Sequence, residues 1–197
     1  MDILLDDIPF NNSLYPFTAL KSIAHIRVGI LTIYEKWQMA FPGNVFLSSQ
    51  LTENKASYID YLKIPANLIP SSNFLERIHV TGSEALALGD HKTLKFPWEI
   101  FQYNDWALRQ DFEMITSGRD SEEISYGNKV VSVENIFVEP GAAINFSILN
   151  AREGPIYIAK NAEILEGCMI RGQLWLGEGS KLRMRKKVYT TTTIGTV

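Results

Sequence analysis

The side chains able to do chemistry are thinly spread along this chain of 197 residues. His25, His79 and His91 are scattered and Cys168 stands alone, so no metal-ligand spacing is visible. Ser13, Ser48 and Ser49 lack the Gly-x-Ser-x-Gly frame of a serine hydrolase. Asp6 and Asp7 close the first apolar run. One basic run, Lys181, Arg183, Arg185, Lys186 and Lys187, suits a solvated face or subunit edge, or else a contact for an anionic ligand. Trp98, Phe101 and Trp106 have the composition of a base-stacking platform, but their spacing is expected of core residues beside a domain junction.

Bulk properties exclude several classes. Hydrophobic residues make up 46% and charged residues 21%, an ordinary globular balance. A formal charge of −3 argues against a nucleic-acid binder, which needs clustered Lys and Arg. The first ten residues carry three aspartates and no basic residue, unlike a signal or transit peptide. No apolar run approaches the ~18 residues of a spanning helix, so no membrane partner is expected. With one unpaired cysteine, the expected location is cytoplasmic. Cys168 itself reads as a small inward-packing side chain.

The elements that must position these groups follow from apolar spacing. Residues 1–5 read as a buried strand, 23–37 as a helix, 45–48 as a second strand and 58–64 as a third, an alternation that predicts an α/β layer. A short helix near 74–78 and a turn at Gly82 follow. Phe101, Leu108, Phe112 and Ile115 predict a connector helix ending at Gly118, and 119–128 reads as a linker.

Beyond the linker the period changes. Ile158, Ile164, Ile170, Leu176, Leu182, Val188 and Ile194 recur every sixth residue, which fits neither a helix (~3.6) nor a single strand (2) but a solenoid repeat. The unit aliphatic-x-x-(Gly/Asn)-small recurs as Val138-Glu-Pro-Gly-Ala142, Ile158-Ala-Lys-Asn-Ala162 and Leu176-Gly-Glu-Gly-Ser180. In it the aliphatic points inward and Gly or Asn takes a positive-φ corner. Register slips by two residues after Ile144, which predicts an insertion around Arg152-Glu-Gly-Pro155. The last hexad opens at Ile194, so its end is expected to be covered by another subunit or continued by further chain.

Leu14-Tyr-Pro-Phe-Thr18, Ile26-Arg-Val-Gly-Ile-Leu-Thr-Ile33, Glu35-Lys-Trp37, Phe96-Pro-Trp-Glu-Ile-Phe101, Gly154-Pro-Ile-Tyr-Ile158 and Glu166-Gly-Cys-Met-Ile-Arg-Gly172 occur in that order. Together with the hexads, they resemble the alternative form of the bifunctional N-acetylglucosamine-1-phosphate uridylyltransferase / glucosamine-1-phosphate acetyltransferase family, shortened. The resemblance implies a reduced α/β nucleotidyltransferase-like domain over 1–95, a connector over 96–128, and an incomplete left-handed parallel β-helix of hexapeptide repeats over 129–197 that assembles as a homotrimer. It also implies attack of a sugar-1-phosphate oxygen on the α-phosphate of a nucleoside triphosphate, which depends on positioning and charge neutralisation. On that resemblance Asp6 and Asp7 are candidates for Mg²⁺, and Asp6, Asp7, Thr18, Lys21 and Arg27 for nucleotide or phosphate binding. Each has a plainer reading: Asp6 and Asp7 as a solvated strand end, Arg27 as a structural ion pair.

The chain also departs from that pattern. Asp6-Asp-Ile-Pro-Phe-Asn-Asn12 stands where related enzymes carry a glycine-rich phosphate cradle. Ala19-Leu-Lys-Ser22 and His25 replace an expected Thr-Arg-Pro run and acidic residue, and 89–95 is shortened. All three histidines precede the solenoid, so neither acetyl transfer nor acetyl-CoA binding is expected. The expectation is a transferase of nucleotide-sugar biosynthesis in the UDP-N-acetylglucosamine pathway, its solenoid serving to trimerise. The alternative is a catalytically inactive relative or fragment acting as an assembly module.

Overall fold

The structure, a computed structural model, describes residues 2–10, 12–41, 44–51 and 61–195. The chain divides into two compact units, Met1–Tyr103 and Asn104–Val197.

In the first unit, β1 (Asp2–Asp6) lies between β2 (Val45–Leu47) and β3 (Tyr61–Pro65), all parallel. The start of the third strand expected over 58–64 lies outside the described residues. Leu68–Pro70 (β4) and His91–Thr93 (β5) form a separate antiparallel ribbon. Helices α1 (Ile33–Ala40) and α2 (Ser72–Thr81) complete the layer. Ile3, Leu5, Trp37, Ile64, Ile69 and Phe74 are fully buried, and each such side chain contributes about 1.5–3 kcal/mol.

The helix expected over 23–37 is three pieces. Ile23–His25 is a single 3₁₀ turn, Arg27 bridges Thr32 around Gly29 (φ 85), and only then does α1 begin. Thr32 sets the start: its hydroxyl accepts from the Glu35 amide at 3.2 Å while Glu35 accepts from the Thr32 amide at 2.6 Å. This reciprocal cap satisfies two amides that an uninterrupted helix would not leave free.

The second unit begins within the stretch read as a connector. A four-residue turn of helix, α3 (Glu99–Gln102), ends the first unit, and α4 (Asn104–Thr116) belongs to the second. There α4 is one wall of the solenoid rather than a bare spacer. The solenoid is a left-handed parallel β-helix of about three turns with three faces: β6 (Lys129–Val131), β9 (Ile148–Asn150), β12 (Met169–Arg171) and β15 (Lys187–Tyr189); β7 (Ile136–Val138), β10 (Ile156–Ile158), β13 (Leu174–Leu176) and β16 (Thr192–Ile194); and β8 (Ala143–Ile144), β11 (Glu163–Ile164) and β14 (Lys181–Leu182). Inward residues stack rung on rung, as in Ile144, Ile164 and Leu182 or Leu149, Ile170 and Val188. Cys168 is buried in the same core.

The outward centre of the second face is also buried. Phe137, Tyr157 and Trp175 are each 4% exposed, and Phe112 of α4 meets the Tyr157 ring edge-on at 6.4 Å. The α4 residues Ala107, Leu108, Asp111 and Ile115 are buried. An amphipathic helix therefore closes what would otherwise be an exposed aromatic ladder. Trp98 and Phe101, expected to be core, are half or more exposed, because the aromatic positions that the core uses are the rungs 137, 157 and 175.

The linker is a structural cap. Ser121 Oγ accepts from the Val138 amide at 2.9 Å, Ser125 Oγ donates to the Ile144 carbonyl at 2.7 Å, and Ile124 packs on the solenoid core. These contacts occupy edge groups that the first coil would leave unpaired.

Candidate functional site

The order β2-β1-β3 means that the chain leaves β1 to one side for β2 and then returns to the other side for β3. Where strand order reverses in a parallel sheet, the connecting segments diverge and leave a crevice at the carboxyl ends of the strands. A crevice of about 600 Å³ lies there. Phe10 and Ser13, just after β1, line one side, and Pro65 at the end of β3 lines another. Asn67, His91 and Phe96 complete the walls that matter for recognition.

Two buried polar atoms on these walls have no protein partner among the described residues: Asn67 Oδ1 and His91 Nδ1. Asn67 is 3% exposed and oriented by donating from Nδ2 to the Leu94 carbonyl at 2.8 Å. Its place in the β4–β5 ribbon is fixed by the Leu94 amide, which donates to the Asn67 carbonyl at 2.9 Å. His91 packs edge-on against Phe74 at 5.0 Å. Burial lowers its pKa, with Asp90 opposing, so the ring is neutral at pH 7. Orphaned buried polar atoms cost about 1–3 kcal/mol each unless something pairs with them. A ligand in the crevice would remove that cost.

Phe96 supplies a flat wall. Its ring stacks on Trp98 at 4.7 Å with 8° between planes, and Glu99 accepts from the Lys95 and Phe96 amides at 2.5 and 2.8 Å to hold the turn. Lys95, an exposed residue, also lines the crevice.

Asp6 ends β1 opposite Pro65, and its carboxylate accepts from Lys63 Nζ at 2.8 Å. Asp7 is 1% exposed; Ser49 donates to its Oδ1 from the amide at 3.0 Å and to its Oδ2 from the hydroxyl at 2.6 Å. Burial pushes the Asp7 carboxyl up, but hydrogen bonds from Ser22 and Ser49 outweigh it and hold the pKa below the ordinary value. Both carboxylates are thus engaged by protein donors, and as placed they do not fit a Mg²⁺ site. Among the described residues no cluster of three or more His, Cys, Asp or Glu is positioned for a metal ion.

Thr18 is half-buried and Lys21 exposed in the turns after β1, and neither is part of the crevice wall. Arg27 bonds the Ile30 carbonyl and pairs with Glu35 at 3.5 Å, the structural role. Where a glycine-rich cradle was the expectation of the resemblance, Ile8–Phe10 forms one 3₁₀ turn.

Sequence reasoning missed Asn67, His91, Lys95 and Phe96 as a group. One signal was present: Asn67 is the single polar residue in the run Ile64-Pro-Ala-Asn-Leu-Ile-Pro70. A polar residue in so apolar a context is the informative exception.

No curated protein matches the chain. Residues 3–92, which hold the parallel sheet, α1, α2 and most of the crevice, match the family model described as sugar nucleotidyl transferase.

Proposed function

We propose that the first unit binds a nucleoside triphosphate or nucleotide-sugar in the crevice, as a transferase of UDP-N-acetylglucosamine biosynthesis, and that the solenoid holds three copies together. The observation that carries the reading is the crevice itself. It sits at the strand-order reversal of a segment matching sugar nucleotidyl transferases, and it presents Asn67 Oδ1 and His91 Nδ1 with no partner among the described residues. Asn67 and neutral His91 would hydrogen-bond the ligand's polar edge, Phe96 would lie against a flat ring, and Lys95 would offset phosphate charge. Transfer by attack of a sugar-1-phosphate oxygen on the α-phosphate, with pyrophosphate leaving, requires mainly that these groups hold the two reactants in line. No step is assigned to a protein-held Mg²⁺, since Asp6 and Asp7 are engaged elsewhere.

Trimer formation rests on a weaker but independent feature, the large apolar side chains left on the solenoid surface: Phe146, Met169, Met184 and Tyr189 are 46–69% exposed. Light scattering is expected to report three chains of 22.3 kDa.

A second reading has its own support: the 3₁₀ turn Ile8–Phe10 and the occupied Asp7 favour a protein that binds nucleotide-sugar without transferring it. One experiment separates the readings. Melting is followed with UTP, UDP-N-acetylglucosamine or neither, and pyrophosphate release is measured with UTP plus N-acetylglucosamine-1-phosphate and Mg²⁺. Ligand at ~100 times its Kd adds about 2.7 kcal/mol of stability. A shift that Asn67→Ala abolishes supports the binding site, and pyrophosphate release then supports the transferase. No shift with either nucleotide overturns both.

A further inference from the structure

The second unit holds a cleft of its own, of about 200 Å³, at the corner where α4 meets the solenoid. Asp105 and Arg109 of α4 form one wall, the 152–154 insertion another, and the corners at Gln173 and Thr190 the floor. The connection is longest here: Ile156 follows Leu149 by seven residues, whereas its register partners Ile136 and Leu174 follow Val130 and Ile170 by six and four. The extra residues bring Glu153 to the rim, where the Arg109 guanidinium donates to its carbonyl at 2.6 Å and Arg171 pairs with its carboxylate at 2.9 Å.

The floor is arranged around a buried amide. Gln173 is 3% exposed, and its Nε2 donates to Asp105 Oδ1, which fixes which end of the amide is oxygen. Thr191 donates to the same Asp105 oxygen at 3.1 Å. Gln173 Oε1 is then left with no partner among the described residues. Gly154 makes this burial possible, because a Cβ there would lie 2.3 Å from Gln173 Cγ.

We infer that this corner is a binding site for a small, uncharged, polyhydroxylated ligand of monosaccharide class. The charges decide the sign: Asp105 and Glu153 offset Arg109 and Arg171, so neither a phosphate nor a cation gains net attraction. The unspent groups decide the chemistry. Gln173 Oε1 accepts, Arg109 has guanidinium hydrogens beyond its bonds to Glu153 and Asp105, and the Thr190 hydroxyl does both. Adjacent sugar hydroxyls, each donor and acceptor at once, match that alternation. At about 200 Å³ the cleft is below the ~300 Å³ of drug-sized sites, which limits it to a single small ring. The inference does not depend on the nucleotide crevice, which lies in the other unit.

The test is an NMR titration of the isotope-labelled full chain with glucose, galactose, mannose, N-acetylglucosamine and, as controls, glycerol and inorganic phosphate. At least one monosaccharide is expected to give saturable, millimolar shifts of the Gln173 side-chain amide and the Gly172, Thr190 and Thr191 backbone amides. Arg109→Ala, a change at a half-exposed side chain, is expected to weaken that binding at least tenfold with the remaining spectrum unchanged. Gln173→Leu is expected to abolish it; if that variant fails to fold, Arg109→Ala still decides. The inference is overturned if no sugar produces saturable shifts there, if Arg109→Ala leaves the affinity intact, or if phosphate saturates the site instead.

Discussion

Ser49 holds Asp7 with both of its donors, the amide on Oδ1 at 3.0 Å and the hydroxyl on Oδ2 at 2.6 Å. The pair ties the carboxyl end of β1 to the 3₁₀ turn Ser48–Gln50 that follows β2. The Ser22 hydroxyl adds a third donor from another turn. Three segments that are distant in sequence thus meet on one carboxylate beside the crevice.

Ser49→Ala should lower stability by about 1.5–3 kcal/mol, the usual worth of a hydrogen bond to a charged group. The effect should depend on acidity. The folded-state pKa of Asp7 lies below its unfolded value of about 3.9, so the stabilisation is complete above that pH and is lost as pH falls further. Denaturant midpoints of wild type and Ser49→Ala at pH 7 and pH 3 would check this. An equal difference at both values would mean that the carboxylate is not the partner that matters.

Gly141 and Gly179 occupy equivalent corners, with φ of 79° and 67°, and Asn161 takes the corner between them at 57°. Their surroundings differ. A Cβ at Gly141 would lie 2.3 Å from Asn161 Oδ1, while at Gly179 nothing stands within 4 Å. Gly179→Ala should cost roughly 1–2 kcal/mol, the left-handed penalty alone, and Gly141→Ala more than that. Combining Gly141→Ala with Asn161→Gly should recover the excess, a coupling that a double-mutant cycle on thermal unfolding measures directly.

That corner also shows why the solenoid was legible in sequence and the crevice was not. A hexad repeats one environment many times, so Ile158, Ile164 and Ile170 reinforce one another, and Gly or Asn marks each turn of this face. The irregular coil was harder. The two-residue slip is a one-residue loss between Ile144 and Leu149 combined with a three-residue gain before Ile156, and only strand pairing separates the two. In the first unit, Ile23, Ile26, Ile30 and Ile33 imitate a helical stripe, yet the Thr32–Glu35 cap and Gly29 divide it. Asn67 and His91 come together because β4 and β5 pair, at Leu68–Thr93 and Pro70–His91, and no local pattern encodes that meeting.

Tyr157 donates to Glu139 at 2.5 Å beneath Arg119, which itself pairs with Glu139 at 2.8 Å. Burial, reinforced by the Glu139 carboxylate, pushes the Tyr157 pKa up to about 12. A raised folded-state pKa stabilises fully below the unfolded value of about 10 and is lost as pH climbs towards the folded one. Wild-type stability should therefore fall between about pH 10 and pH 12 more steeply than that of Tyr157→Phe, which has no phenol to ionise. Absorbance titration of phenolate alongside denaturant melts in that window would check it; parallel curves would refute the assignment.

His91 offers the sharpest probe of the crevice, because its ring does two separable things. It packs against Phe74, which a phenylalanine at the same position would preserve, and it presents Nδ1, which a phenylalanine would remove. Burial holds the folded-state pKa below the unfolded value of about 6.5, so the ring's contribution is complete above pH 6.5 and is lost as pH drops through the folded value. Asp90 pulls the other way, but it is itself paired with Arg77 at 3.0 Å. His91→Phe should thus match wild type to within about 1 kcal/mol at pH 7.5, the range of a volume-conserving change, and lose less stability than wild type between pH 6.5 and pH 5. In the same variant the melting shift with UDP-N-acetylglucosamine should shrink at pH 7.5, where stability alone would predict no change. A full ligand shift in His91→Phe would remove Nδ1 from the recognition proposed for this crevice, leaving Asn67 and the aromatic wall to account for binding.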